Sequence, residues 1–391
     1  MRLQIIILIV LLISGCKPSA VPVNIQNDIN SIVKKYVPDS REGFCEIKLL
    51  MSKGGKIVLK GETDQATAKS EIIAYLTSSG QEFSDSLTIL PDNKQITKTW
   101  GLISISVSNI KKAPSHSSEL VSQTIMGTPV RILKRKSGWL LIQTPDSYIG
   151  WANSSGIAEM DQNEISKWKN SVRVIYLKKS GDIISEPGSD HILCDVVSGA
   201  ILEVIGKKNE FIEVALPDGR KGFINKNDAT DFKSWSATVS PDPVRMIAFA
   251  KSLLGTPYLW GGTSTKTFDC SGFVKTIYFT NGIILARDAS QQFLYGSKVD
   301  YSKSLDSLKK GDLIYFGYIN EKGEQRITHT GMYIGDTEVI HCSGMVRINS
   351  LDPARPNYSE YLKNGMQGAR RIIGAGEGKG AERIGSMDWY F

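Results

Sequence analysis

The chain has 391 residues, 47 Lys and Arg against 40 Asp and Glu, and a formal net charge of +7. That length suits two to four domains, and the apolar content, 41%, is that of folded protein and not of a disordered tail. The basic residues are scattered and not gathered in a stripe, which argues against nucleic acid as a partner and leaves room for a mild attraction to anionic wall polymers or lipid surfaces.

In chain order, the first element is a targeting segment. Met1-Arg2 gives a positive end, and Ile5 to Ile13 is an apolar run of the length of a signal-peptide core, too short to span a bilayer as a mature helix. It closes on Ile13-Ser14-Gly15-Cys16, which resembles the lipobox of bacterial lipoproteins. The resemblance implies a signal peptide over 1–15, acylation of Cys16 and a membrane-anchored protein of the cell envelope. Lys17, where aspartate would favour inner-membrane retention, leans the anchor toward an outer membrane.

Residues 20–95 read as a small α+β domain. Helices are expected over 24–36 and 64–79, the second capped by Thr63-Asp64, with strands over Phe44–Met51, Lys56–Lys60 and near Ser86–Leu90.

Next comes an internal repeat. At a spacing of 72, Gly127 meets Gly199, Trp139 meets Phe211, Pro145 meets Pro217, Asp146 meets Asp218, Gly150 meets Gly222 and Trp151 meets Phe223. Short alternating stretches between turn residues predict two small all-β barrels, over 101–160 and 172–232, which resemble the bacterial SH3-like domain of cell-wall proteins. Taken alone, that points to binding. Tyr148 breaks the repeat, because its counterpart is Arg220. It is either a surface tyrosine in a turn or a residue with a task the second copy lacks.

The last segment, 241–391, begins after the prolines of Pro241-Asp242-Pro243 and carries the chemistry. Asp269-Cys270-Ser271-Gly272 leads into the helix-like Phe273 to Tyr278, and two of the chain's four histidines, His329 and His341, follow. A thiol is only a few per cent ionised, roughly, at neutral pH, and a helix N-terminus and an imidazole are two ways to activate it, so Cys270 is the candidate nucleophile. His329 opens a run of strand character and is the candidate general base. His341, on the adjacent strand of a hairpin turning at Gly335-Asp336, is placed to hold the tautomer of His329. The alternative is a pair of structural histidines in a sheet.

Five blocks, Gly255 to Gly262, Asp269 to Gly272, Arg287 to Gln292, Gly311 to Leu313 and His329 to Gly335 with His341, resemble in order the NlpC family of cell-wall cysteine peptidases. The resemblance implies a papain-like α+β fold with the nucleophile helix packed on an antiparallel sheet. The whole chain is then a multidomain α+β protein: a small N-terminal α+β domain, two SH3-like barrels and a catalytic domain. In that family Tyr258 lies over the nucleophile and helps to stabilise the oxyanion, although a core aromatic is the plain reading of the residue itself. Asp269 and Ser271 are expected to line the site of the γ-D-glutamyl group.

Asp288 either caps the helix-like Ala289-Ser290-Gln291-Gln292 or binds substrate. In the resembled subgroup of γ-D-glutamyl-L-diamino acid endopeptidases, which includes dipeptidyl-peptidase VI, this carboxylate binds the free amine of an N-terminal L-alanine. There the first barrel closes the pocket with an acid and a tyrosine, for which Glu119 and Tyr148 are the best matches. Certain relatives carry serine where this chain has Ala289.

The expected activity is hydrolysis of the γ-D-glutamyl to diamino-acid bond in murein peptides with a free N-terminal L-Ala. A general peptidoglycan endopeptidase acting on intact wall, an acyltransferase or amidase on the same scaffold, and a non-catalytic wall-binding lipoprotein are the alternatives. No cofactor is expected. With Cys16 acylated and Cys270 free, Cys45, Cys194 and Cys342 are an odd number without regular spacing, so neither a disulfide framework nor a metal site is expected.

Overall fold

A computed structural model describes residues 20–374 and 378–391; the expected signal peptide and Cys16 lie outside the described residues. The chain divides into two compact units, one ending at Leu90 and the other running from Pro91 to Phe391.

In the first unit, strand Ile57–Thr63 lies between Cys45–Met51, antiparallel to it, and Phe83–Ile89, parallel to it. Helix Val23–Tyr36 buries Ile25, Ile29 and Ile32, and helix Ala66–Ser78 buries Ala68, Ile72 and Leu76. Spacings of three and four put each set on one helical face, which joins Ile57, Leu59 and Leu87 in the core. The expected Thr63-Asp64 cap is displaced: the helix N-cap is Gln65, which makes no side-chain cap. Asp64 instead accepts the Phe44 N–H at 2.9 Å, and Thr63 Oγ1 accepts that of Gln65 at 3.0 Å. The two side chains that looked like helix caps tie strand ends together.

The second unit contains two seven-stranded antiparallel sheets. In the first, the strands lie in the order Ile157–Met160, Trp100–Ile103, Pro129–Lys136, Trp139–Gln143, Ile149–Asn153, Val107–Lys111 and Leu120–Ile125. The second has the same connectivity, from Ala229–Asp231 through Arg173–Tyr176, Ile201–Lys208, Phe211–Ala215, Lys221–Asn225 and Ser180–Ile184 to Ile192–Val197. Strands beginning at 120, 129, 139, 149 and 157 recur at 192, 201, 211, 221 and 229, each 72 positions on. The repeat is thus one of structure as well as sequence. The outermost strands of each sheet do not pair with each other, so the expected barrels are open along that seam.

The third layer is a six-stranded antiparallel sheet ordered Ser297–Lys298, Met366–Arg371, Leu313–Ile319, Gln325–Gly335, Glu338–Ser343 and Met345–Ser350. Helix Cys270–Phe279 packs on it, with Phe273, Val274, Ile277 and Tyr278 meeting Leu313, Met332, Ile340 and Cys342 in one core. Burial on that scale holds the helix against the sheet more firmly than its own propensity would. Helix Pro243–Ser252 precedes it, with proline in its first turn and the Asp242 carboxylate accepting the Val244 N–H at 3.0 Å.

Candidate active site

Cys270 is the first residue of its helix, and Asp269 is the N-cap. The Asp269 carboxylate accepts from Gly272 N at 2.7 Å and from Ser271 Oγ at 3.2 Å through Oδ1, and from Gly261 N at 3.0 Å through Oδ2. The helix entry is packed to contact: a Cβ on Gly272 would stand 2.0 Å from the carbonyl oxygen of Gly262. The backbone N–H groups of Thr330 and Ser271 lie close enough to the thiol to favour its charged form, and Thr330 is next to His329 on its strand.

His329 and His341 stand on neighbouring antiparallel strands, as the hairpin reading requires. His329 Nε2 lies 2.9 Å from His341 Nδ1, with the rings edge to face at 88°. His341 Nε2 lies 3.0 Å from Asn349 Oδ1 on the next strand. Asn349 was not singled out from sequence, for no motif marks it; it is found only through the register that pairs Glu338–Ser343 with Met345–Ser350.

Burial dominates the electrostatics of the thiol and of His329. Burial first, and then the Asp269 charge, push Cys270 up to about 12, against the Thr330 N–H, Arg287 and the Ser271 N–H. Burial, reinforced by His341, pulls His329 down to about 3. Burial thus favours the neutral form of both the thiol and the imidazole. Tyr258, half-buried near the thiol, is raised by burial and then by the neighbouring Cys270 and Asp269 charges, so its hydroxyl stays a donor. Its backbone is held by an N–H donated to Gly344 O at 2.9 Å.

The least anticipated residue is Arg287. It is 1% exposed. Its Nη2 meets Asp269 Oδ2 at 2.6 Å, Nη1 donates to Ser271 Oγ at 3.0 Å, and Nε donates to Ser122 Oγ of the first SH3-like sheet at 2.9 Å. Burial works against its charge, but Asp269 holds its pKa above the usual guanidinium range. A sequence signal existed: one arginine directly after the apolar Ile283-Ile284-Leu285-Ala286 must carry a buried partner. Its consequence falls on Asp269. Oδ1 and Oδ2 are both engaged inside the fold, and the carboxylate faces the helix entry and Arg287. Ser271 Oγ is likewise engaged, donating to Asp269 and accepting from Arg287.

Asp288 performs the capping its position suggested, as the N-cap of Ala289–Gln292, its N–H donated to Gln291 Oε1 at 3.1 Å. Its Oδ1 is 3.8 Å from Arg287 Nη1, and Tyr148 Oη donates to its Oδ2 at 3.5 Å across the domain seam. Tyr148 and Arg220 occupy one turn in two copies: Thr144 N donates to Tyr148 O, and Leu216 N to Arg220 O. The side chains diverge, for Arg220 pairs with Asp218 in its own turn. Glu119 is exposed at the same seam, its Oε1 accepting from Trp260 Nε1 at 3.1 Å and its Oε2 3.3 Å from Lys112 Nζ. Trp260 follows Tyr258 by two residues, so Glu119 reaches the turn that holds Tyr258.

Further polar contacts cross the seam. Gln123 accepts from Thr263 N at 3.1 Å through its side chain and from Thr263 Oγ1 at 2.8 Å through its carbonyl, and Lys275 pairs with the buried Asp146 at 3.2 Å. Cys342 is fully buried and its Sγ donates to Phe268 O at 3.4 Å; burial and then the Cys270 charge raise it to about 12, so it packs as an inert filler. Among the described residues, no group of three or more His, Cys, Asp or Glu is placed to hold a metal ion.

Comparison with known proteins bears on the same residues. Residues 255–371 match the NlpC/P60 family, and residues 110–157 match the bacterial dipeptidyl-peptidase SH3 domain. Over 268 residues the chain is 31% identical to a γ-D-glutamyl-L-lysine dipeptidyl-peptidase of Bacillus cereus, covering 66% of this chain and 77% of that one. It is 27% identical over 267 residues to dipeptidyl-peptidase 6 of Lysinibacillus sphaericus, covering 66% and 93%. A crystal structure of an NlpC/P60 family protein from Bacillus cereus superimposes with a TM-score of 0.60 at 27% identity, over 70% of this chain and 99% of that one.

Proposed function

The chain belongs to the NlpC/P60 family of cysteine peptidases, and from that premise we propose that it hydrolyses the γ-D-glutamyl to diamino-acid bond of murein peptides whose N-terminal L-alanine is free. The observation that carries the substrate choice is the meeting of Tyr148 with Asp288. A carboxylate and a phenol, drawn from two domains onto one spot with Glu119 on the same seam, make a site for an ammonium group and not for an acylated nitrogen. A peptide still joined to muramic acid has no such charge, and binding it would desolvate the carboxylates without compensation. The name of the Bacillus cereus relative supports the same bond, and both that name and the Lysinibacillus one support release of a dipeptide.

In the chemical step, Cys270 Sγ attacks the γ-carbonyl carbon of D-glutamate while its proton passes to His329. The carbonyl π pair moves onto oxygen, where the Tyr258 hydroxyl and the Cys270 N–H stabilise it. Collapse breaks the bond to the diamino acid, whose nitrogen leaves with the proton from His329. The resulting thioester is opened by a water that His329 deprotonates, and the thiol regains its proton. Burial that favours the neutral pair suits this order, because charge appears only when substrate has covered the site.

The expected lipid on Cys16 would tether the enzyme to a membrane of the cell envelope, where soluble turnover peptides reach it. Mass spectrometry of products from L-Ala-γ-D-Glu-diamino acid, beside its N-acetylated form and the Cys270→Ala protein, tests the reading. A dipeptide and a diamino acid are expected from the free amine alone. Equal rates on both peptides would overturn it in favour of an endopeptidase of intact wall.

A further inference from the structure

Which nitrogen of His329 can take the thiol proton is decided three residues away from it in the hydrogen-bond chain. Asn349 Nδ2 lies 3.0 Å from the backbone carbonyl oxygen of Asn357. A carbonyl oxygen only accepts, so the Asn349 amide group presents its NH2 there and is left with its oxygen facing His341 Nε2 at 3.0 Å. That oxygen also only accepts, so His341 carries its hydrogen on Nε2 and a lone pair on Nδ1. His329 Nε2 stands 2.9 Å from this lone pair and must therefore be the protonated nitrogen. His329 Nδ1 is then unprotonated.

We infer that Asn349 is a positioning residue, which sets the tautomer of His341 and, through it, makes His329 Nδ1 the base that receives the Cys270 proton. The inference rests on the peptidase reading of Cys270 and His329. The orientation of Asn349 is itself secured. Asn357 O accepts a second hydrogen bond from Ser350 N at 2.9 Å, and Asn357 Nδ2 donates to Glu338 Oε1 at 3.0 Å. The loop that follows strand Met345–Ser350 is thereby folded back onto the strand's end.

The charged and titratable groups that face His341 are His329 from its strand, Arg347 opposite it on strand Met345–Ser350, and Glu338 beyond Asn357. Burial, with Arg347 adding to it and the Asn349 bond opposing it, keeps His341 below the usual imidazole range. His341 thus acts as a neutral acceptor and not as a second cation. Without an acceptor at Nε2, nothing prevents the opposite tautomer, which would turn an N–H of His329 toward the thiol.

The test compares Asn349→Leu with Asn349→Asp. Iodoacetamide alkylation of Cys270, located by peptide mass mapping, is followed against pH, together with kcat and KM on the free-amine peptide. The leucine variant is expected to lose about 10- to 100-fold in both alkylation near pH 7 and kcat, with KM little changed. The aspartate variant keeps an acceptor, retains most of both rates, and moves the acid limb of the alkylation profile upward. A leucine variant alkylated at the wild-type rate, or an aspartate variant that falls as far as leucine with no shift of the acid limb, would overturn the inference. If the leucine variant does not fold, the acid limb of the aspartate variant decides alone. Alkylation needs no peptide, so an error in the proposed substrate would appear as absent hydrolysis by the wild type and leave this comparison intact.

Discussion

Arg287 and Asp269 form a 2.6 Å ion pair with almost no access to water, directly under the turn from which the nucleophile helix starts. The pair is shared: Arg287 also binds Ser122 of the first SH3-like sheet and borders Asp288, so one guanidinium joins the helix entry, the domain seam and the proposed amine site.

Removing Asp269 leaves the buried Arg287 charge with only its 3.8 Å contact to Asp288. Asp269→Asn is expected to lower stability by about 3–5 kcal/mol and to abolish activity, whereas surface Lys226→Ala, which breaks an exposed pair with Glu210, should cost less than about 1 kcal/mol. Urea unfolding curves of the two proteins would show the contrast.

The domain seam predicts a selective effect on binding. Tyr148→Phe removes one hydroxyl and is expected to raise KM for the free-amine peptide roughly three- to tenfold, from a hydrogen bond of about 0.5–1.5 kcal/mol. Phenylalanine should do nothing to the already poor use of the acetylated peptide. Arg220→Ala, at the matching turn of the second copy, should leave KM unchanged in the same assay.

Acid should weaken the fold through His329 and His341. His329 has a folded-state pKa of about 3, pulled below its ordinary 6.5 by burial, and His341 is shifted in the same direction. The unfolded chain therefore binds more protons between those values, so the contribution to stability is complete above about pH 6.5 and disappears as the pH falls toward 3. Chemical denaturation at a series of pH values from about 7.5 to about 4 should show stability falling with acid. His329→Gln should reduce that slope by close to one proton.

Gly272 offers a steric test. Its substitution by alanine drives a methyl group into the Gly262 backbone, and backbone cannot step aside as a side chain can. The expected cost is at the upper end of about 1–3 kcal/mol, with loss of kcat through displacement of Cys270. A melting curve paired with an active-site titration would detect both.

Much of this architecture is written in local pattern. The helix of Ile25, Ile29 and Ile32 and the 72-residue repeat follow from periodicity, which the backbone itself imposes. Cys270, His329 and His341 were visible because short motifs surround them. Asn349 and Ser122 were not, since each acquires its role only when strands from distant parts of the chain are laid side by side. Asp269 shows the reverse difficulty. Its place beside the nucleophile was plain, but the direction of its carboxylate depends on Arg287, eighteen positions on. The thiol's environment is hidden for a related reason: a helix end favours the thiolate, burial opposes it, and depth of burial is not a property of any short segment.

The paired turns at Tyr148 and Arg220 share their closing hydrogen bond while their side chains face different tasks. The backbone there is indifferent to which residue it carries. A duplicated chain can thus keep one copy of the turn as plain architecture and let the other drift, codon by codon, until its side chain finds something across the seam to recognise. New selectivity then arises at a loop whose folding was already solved.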